Sequence, residues 1–94
     1  MSREPASPQD IGANIRAARV KKGFTQEKLF RVLNDQGFEI SLTAVRNYEA
    51  GRVEAIGLYT ISAFAKALDT EIEALAGFHE DEQKKPARKG KLAA

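Results

Sequence analysis

The stretch Ile40-Ser41-Leu42-Thr43-Ala44-Val45-Arg46-Asn47-Tyr48-Glu49-Ala50-Gly51-Arg52 decides how the chain folds. Ser41 suits a helix N-cap, because its hydroxyl accepts from a backbone N–H that the first turn leaves without a partner. Gly51 stands where a left-handed residue commonly closes a helix. Between them, Val45 and Tyr48 are spaced i, i+3 and share one face. With that face turned inward, Leu42, Thr43, Arg46 and Asn47 point largely outward. The segment therefore reads as a short capped helix with an apolar back and a polar, basic front.

The same punctuation recurs on either side. Gly23, Gly37 and Gly77 each follow a helix-like run. Ser7-Pro8-Gln9-Asp10 supplies an N-cap, a proline at the first helical position and an acid at the third. Thr25 caps the run that ends at Gln36, and Gly57 or a neighbour opens the next. Thr70-Glu71-Ile72-Glu73 reads as a capping box. The apolar residues keep helical spacing: Ile11, Ile15 and Ala18, then Leu29 and Leu33, then Leu58, Ile61, Ala65 and Leu68, then Ile72 and Leu75. Phe24, Phe30, Phe38, Tyr48 and Phe64 read as core rather than as platforms for stacked bases. No strand-like alternation appears. The pattern predicts an all-α fold of five helices, at 8–22, 25–36, 42–50, 58–68 and 71–76. Helices this short are marginal alone, so they must bury their stripes in one shared core. Segments 1–6 and 78–94 are polar and charge-dense and are expected to be disordered. That leaves 7–77 as the single domain.

Composition narrows the function. The chain has 94 residues and no Cys, which excludes disulfides, thiolate metal sites and Cys nucleophiles. One His, His79, argues against a His-based metal cluster or a catalytic triad, and reads as an exposed tail residue. No nucleophile–base pair or metal set is evident, so neither an enzyme nor a cofactor is expected. No apolar run approaches the roughly 18–20 residues that cross a membrane, and no signal-peptide core is present, so a cytoplasmic location is expected.

The formal net charge of +2 hides a sorted distribution. Residues 8–52 carry the bases Arg16, Arg19, Lys21, Lys22, Lys28, Arg31, Arg46 and Arg52 against the acids Asp10, Glu27, Asp35, Glu39 and Glu49. Residues 53–77 carry Lys66 against Glu54, Asp69, Glu71 and Glu73. The excess positive charge lies in the tail, where Lys84, Lys85, Arg88, Lys89 and Lys91 outnumber Glu80, Asp81 and Glu82. A basic half suggests a polyanion partner. A helix of the width of 42–50 fits a B-DNA major groove, about 12 Å across. Arg pairs with guanine edges, Asn with adenine edges, and Thr or Leu with a thymine methyl. Thr25 and Gln26, at the start of the preceding helix, suit a phosphate.

These residues resemble the helix-turn-helix family of phage Cro and cI-type repressors, the XRE family. The matching pieces are Ile15-Arg16-x-x-Arg19, then Lys22-Gly23-Phe24-Thr25-Gln26-x-x-Leu29, then Ile40-Ser41-x-x-x-Val45-x-x-Tyr48-Glu49-x-Gly51-Arg52. Leu58-x-x-Ile61, Phe64-Ala65-Lys66-Ala67-Leu68 and Ile72-x-x-Leu75 follow in order, so the likeness covers residues 11–75. It implies a compact five-helix, lambda-repressor-like domain whose third helix reads the major groove of double-stranded DNA. By position it assigns base reading to Thr43, Arg46 and Asn47, with Ser41 and Leu42 at the edge of that face. It also assigns phosphate contact to Arg52, phosphate contact and bracing of the reading residues to Gln26, and a partly buried salt bridge to Arg19 and Glu49.

The chain departs from the family in three places. Asn34-Asp35-Gln36-Gly37-Phe38-Glu39 adds about five residues, lengthening helix two or its turn. Phe30 stands where the tight turn usually has Ala, and the loop Val53-Glu54-Ala55-Ile56-Gly57 lacks the usual Pro. The function implied is a sequence-specific transcriptional regulator, a bacterial or phage repressor, acting as a homodimer on an inverted repeat. The dimer surface is expected in 69–78 or in the inserted turn. The alternative is an antitoxin or other protein-interaction module of the same fold, which binds a partner protein. The basic tail suits either backbone tracking along DNA or solubility. The ending Leu92-Ala93-Ala94 resembles a bacterial degradation tag.

Overall fold

The computed structural model describes residues 7–77. Ser7, Thr25 and Ser41 each start a helix as the sequence predicts. Ser7 Oγ accepts from Asp10 N at 3.2 Å while Asp10 Oδ2 accepts from Ser7 N at 3.4 Å, a reciprocal capping box. Thr25 Oγ1 accepts from Lys28 N and Ser41 Oγ from Ala44 N, both at 3.0 Å. The helices that follow are α1 (Pro8–Lys22), α2 (Gln26–Asp35), α3 (Leu42–Ala50), α4 (Leu58–Ala67) and α5 (Ile72–Ala76). There is no strand among the described residues.

Four of these helices, α1, α2, α3 and α5, end at a glycine in the left-handed region, and after the first three the following N–H turns back onto the helix. Phe24 N donates to Arg19 O after α1, Phe38 N to Leu33 O after α2, and Arg52 N to Asn47 O after α3. At the end of α4 the left-handed position is filled by Asp69, at φ 56°, and Thr70 N donates to Ala65 O. This overturns the capping box expected at Thr70. The residue is used to close α4, and α5 starts from Glu71 with no side-chain cap.

The helices form one core. Helix α1 packs on α3 and α5, α2 packs on α3 and α4, and α4 packs on α5. Ile15, Leu29, Leu33, Val45, Phe64 and Leu75 are fully buried at the centre. Phe64 receives Tyr48 and Phe38 edge-on, with ring centroids at 5.6 and 6.4 Å, a favoured aromatic geometry. The predicted stripes are thus the packed faces, with one exception. Leu58 was expected in the stripe of α4 but is 67% exposed. It is the first residue of α4, and Tyr59 beside it is 75% exposed, so the helical period continues where the cover does not.

Helix α1 lies close against α3 at Gly12. A Cβ on the buried Gly12 would collide with the backbone carbonyls of Tyr48 and Glu49. Gly12 therefore lets the α1 backbone lie directly against the last turn of α3. Gly12→Ala should lower stability by about 1–3 kcal/mol, the usual cost of overpacking. Thermal unfolding would register this as a clear drop in Tm. An unchanged Tm would mean that α1 and α3 do not meet at this point.

Candidate nucleic-acid interface

The region of interest is built where α1, α2 and α3 converge on Glu49. This carboxylate is the one charged side chain among the buried residues described. Its Oε2 accepts from Arg19 Nε at 2.6 Å and its Oε1 from Arg19 Nη2 at 3.1 Å. Arg19 Nη1 donates to Phe24 O at 2.8 Å, which ties the α1–α2 turn to the same group. The side chains of Arg19 and Glu49 are 11% and 3% exposed. A buried charge needs such partners, because desolvation otherwise costs several kcal/mol per ion.

The network continues to the surface. Gln26 Nε2 donates to Glu49 Oε1 at 3.1 Å, and Gln26 Oε1 accepts from Arg46 Nε at 3.3 Å. Arg19, Glu49, Gln26 and Arg46 thus form one hydrogen-bonded chain from the core to the exposed face of α3. Gln26 is half-buried and Arg46 exposed. Both ends of the Gln26 amide are thus engaged, one by Glu49 and one by Arg46.

The other predicted site residues fall as follows. Thr43 lies exposed on α3, one turn before Arg46, while Leu42 and Asn47 are half-buried. Ser41 and Thr25 are exposed, with their hydroxyls committed to capping. The N–H groups of the first turn of α2 have no intrahelical acceptor by helix geometry. Arg52 is exposed just beyond α3, its backbone N–H fixed to Asn47 O. Lys22 and Lys28 lie 5.5 and 5.8 Å from the Phe24 ring centroid, flanking the α1–α2 turn with positive charge. Arg31 is partly neutralised by Glu27 one turn earlier, at 3.1 Å. His79 and the terminal segments 1–6 and 78–94 lie outside the described residues.

Of the inserted stretch, Asn34 and Asp35 form the end of α2, and residues 36–39 make the turn that follows. Asn34 holds the turn. Its Nδ2 donates to Phe30 O at 2.9 Å and to Ile40 O at 3.0 Å, and its Oδ1 accepts from Ile40 N at 3.4 Å. Gln36 Nε2 reaches Ala63 O at 3.4 Å, and the Phe38 ring lies between Phe64 and Tyr59. An Asn two residues before Gln36-Gly37 signals turn chemistry, but nothing in the sequence marks its reach to Ile40.

A family model described as Helix-turn-helix matches residues 15–75, and the chain belongs to that family. It is therefore a DNA-binding transcription regulator of the Cro/cI type in the general sense, a class that is generally non-enzymatic. Searches of curated proteins and of solved structures returned no match for the chain. No helix among the described residues is long and apolar enough to cross a membrane.

Asn34 sets where α3 begins relative to α2. Asn34→Ala should cost about 1–3 kcal/mol, because it leaves the N–H and C=O of Ile40 without their partner. Native-state hydrogen exchange should show faster exchange at Ile40 while Val45 stays protected. Equal protection of Ile40 in the variant would remove Asn34 from this role.

Proposed function

We propose that this domain binds double-stranded DNA sequence-specifically, with α3 in the major groove. Thr43, Arg46 and Asn47 read base edges, and Ser41 and Leu42 lie at the rim of that contact. Thr25, Gln26 and Arg52 lie toward the phosphates, where a helix start and a cation both favour an anion. The unit that does this is 7–77, with 1–6 and 78–94 as accessory arms. The observation that carries the reading is Arg46. It stands exposed on α3 and is hydrogen-bonded through Gln26 to a buried ion pair, which limits its freedom before any ligand arrives. Arranging a flexible cation in advance reduces the entropy lost on binding.

One module of this size makes few base contacts, and specific affinities of about 10⁻⁸ M or better usually need more. The proposal therefore includes a homodimer on an inverted repeat with half-sites about one helical turn apart. Its pairing surface lies in 69–78 or at the inserted turn. Repression by occupation of the site, in the cytoplasm of a bacterium or a phage-infected cell, is the role that fits. A second reading, a protein-interaction module such as an antitoxin, is favoured by one observation. Tyr59 is exposed and lines an open groove of about 210 Å³ together with Phe38 and Lys66.

Selection of binding sites from a random duplex pool tests the main reading. The wild-type protein should enrich a short palindromic sequence. Arg46→Ala and Asn47→Ala should each relax the preference at one position per half-site by about 1–3 kcal/mol while the fold is kept. If neither change alters the preference, α3 is not the reading helix. Binding that weakens steeply with salt but enriches nothing would indicate a general DNA-binding role instead.

A further inference from the structure

The groove between the inserted turn and α4 is built by the insertion itself, which supplies Gln36, Gly37 and Phe38 to its lining. Helix α4 supplies Tyr59, Ala63 and Lys66. The Tyr59 ring is 75% exposed and stands 5.6 Å from that of Phe38, so two aromatic rings meet at the surface. Covering such apolar area removes it from water and favours association. The groove is also held in shape. Gln36 Nε2 donates to Ala63 O at 3.4 Å, and the Phe38 ring packs on the buried Phe64. A partner would meet a surface that is already formed, which reduces the ordering lost on binding.

Size and charge define the occupant. The volume of about 210 Å³ is smaller than the roughly 300–1,000 Å³ of pockets that enclose a small-molecule ligand. It exceeds the cavity of about 150 Å³ that takes up a benzene ring. It therefore suits one large apolar side chain. Lys66 is the one charged residue of the lining, and among the described residues it has no ion-pair partner. A DNA backbone is a run of anions and calls for several cations, whereas here a single cation stands among apolar groups. A lone cation beside an apolar groove fits a protein segment with one carboxylate. We propose that this groove docks a partner protein by taking one Phe or Leu side chain, with a neighbouring Asp or Glu of the partner facing Lys66. This rests on the protein-interaction reading and does not displace the DNA one. None of the residues assigned to bases or phosphates lines the groove, so the domain holds DNA and the partner through different side chains.

The probes are N-acetyl-L-phenylalanine, which carries a ring and a carboxylate, and its neutral primary amide. In NMR titrations of the full chain, the acid should shift the backbone amide signals of Gly37, Phe38 and Ala63. The neutral amide should bind about two- to fivefold more weakly, the range of an exposed ion pair. Lys66→Glu should erase or reverse that difference. Tyr59→Ser should weaken both probes at least about fivefold, as loss of an aromatic anchor does. Both side chains are exposed, so neither change opens the core. Selection from a random peptide library should return Phe or Leu beside an acid, and Lys66→Glu should switch the selected charge to Lys or Arg. Shifts confined to other residues, equal binding of acid and amide, or a selection without this motif overturns the inference. Loss of duplex binding in Tyr59→Ser also overturns it, because the groove would then belong to the DNA contact. These outcomes are independent of the duplex selection that tests α3.

Discussion

The ion pair between Arg19 and Glu49 is the constraint on which the rest of the structure depends. It puts two charges where water scarcely reaches, with side chains 11% and 3% exposed. Such a pair is weak as a source of net stability, because desolvation offsets most of the attraction. Its importance lies in what each partner would cost if left alone, and in geometry. Three donors converge on Glu49, two from Arg19 on α1 and one from Gln26 on α2, while Glu49 itself belongs to α3. Three helices of the family's DNA-binding unit are therefore referred to one carboxylate. The close approach of α1 to α3 at Gly12 brings that carboxylate within reach.

Around this hub the apolar core and the inserted turn divide the work. Leu29, Leu33, Val45 and Phe64 bring α2, α3 and α4 together without directional preference. Asn34 and the carbonyl and amide of Ile40 then fix the point at which α3 starts. The added residues do not float as a loop. They are held by Asn34, by Gln36 on Ala63 and by Phe38 against the aromatic cluster. A longer connection between the two helices is thus compatible with a fixed outward face on α3.

The fold was largely legible because it is written locally. Ser7, Thr25 and Ser41 announce helix starts, Gly23, Gly37 and Gly51 announce stops, and the apolar spacing supplies the inward faces. The failures have physical causes. Leu58 keeps the helical period but lies on a turn that no neighbour covers. Thr70 looked like a cap, yet Asp69 takes the left-handed position and Thr70 closes the preceding helix instead. Gly12 carries a signal of its own, since a glycine inside a helix costs about 1 kcal/mol against Ala and calls for a packing reason. The site was legible in its residue types and less so in its wiring. Arg19 and Glu49 could be paired through the family resemblance. That the same carboxylate also orients Gln26 toward Arg46 depends on distances between helices, and spacing along the chain does not encode those. Charge was the weakest guide, because the net excess belongs to the tail and the described domain is sorted but neutral.

A double-mutant cycle on Arg19 and Glu49 tests the central role of the pair most directly. Arg19→Met, Glu49→Leu and the combined variant would be unfolded in urea. Each single change should cost about 3–5 kcal/mol, because it strands a buried charge. The combined change should cost clearly less than the two together, since neither charge then remains to be stranded. Losses that simply add, or single changes costing under about 1 kcal/mol, the range of exposed pairs, would contradict the account.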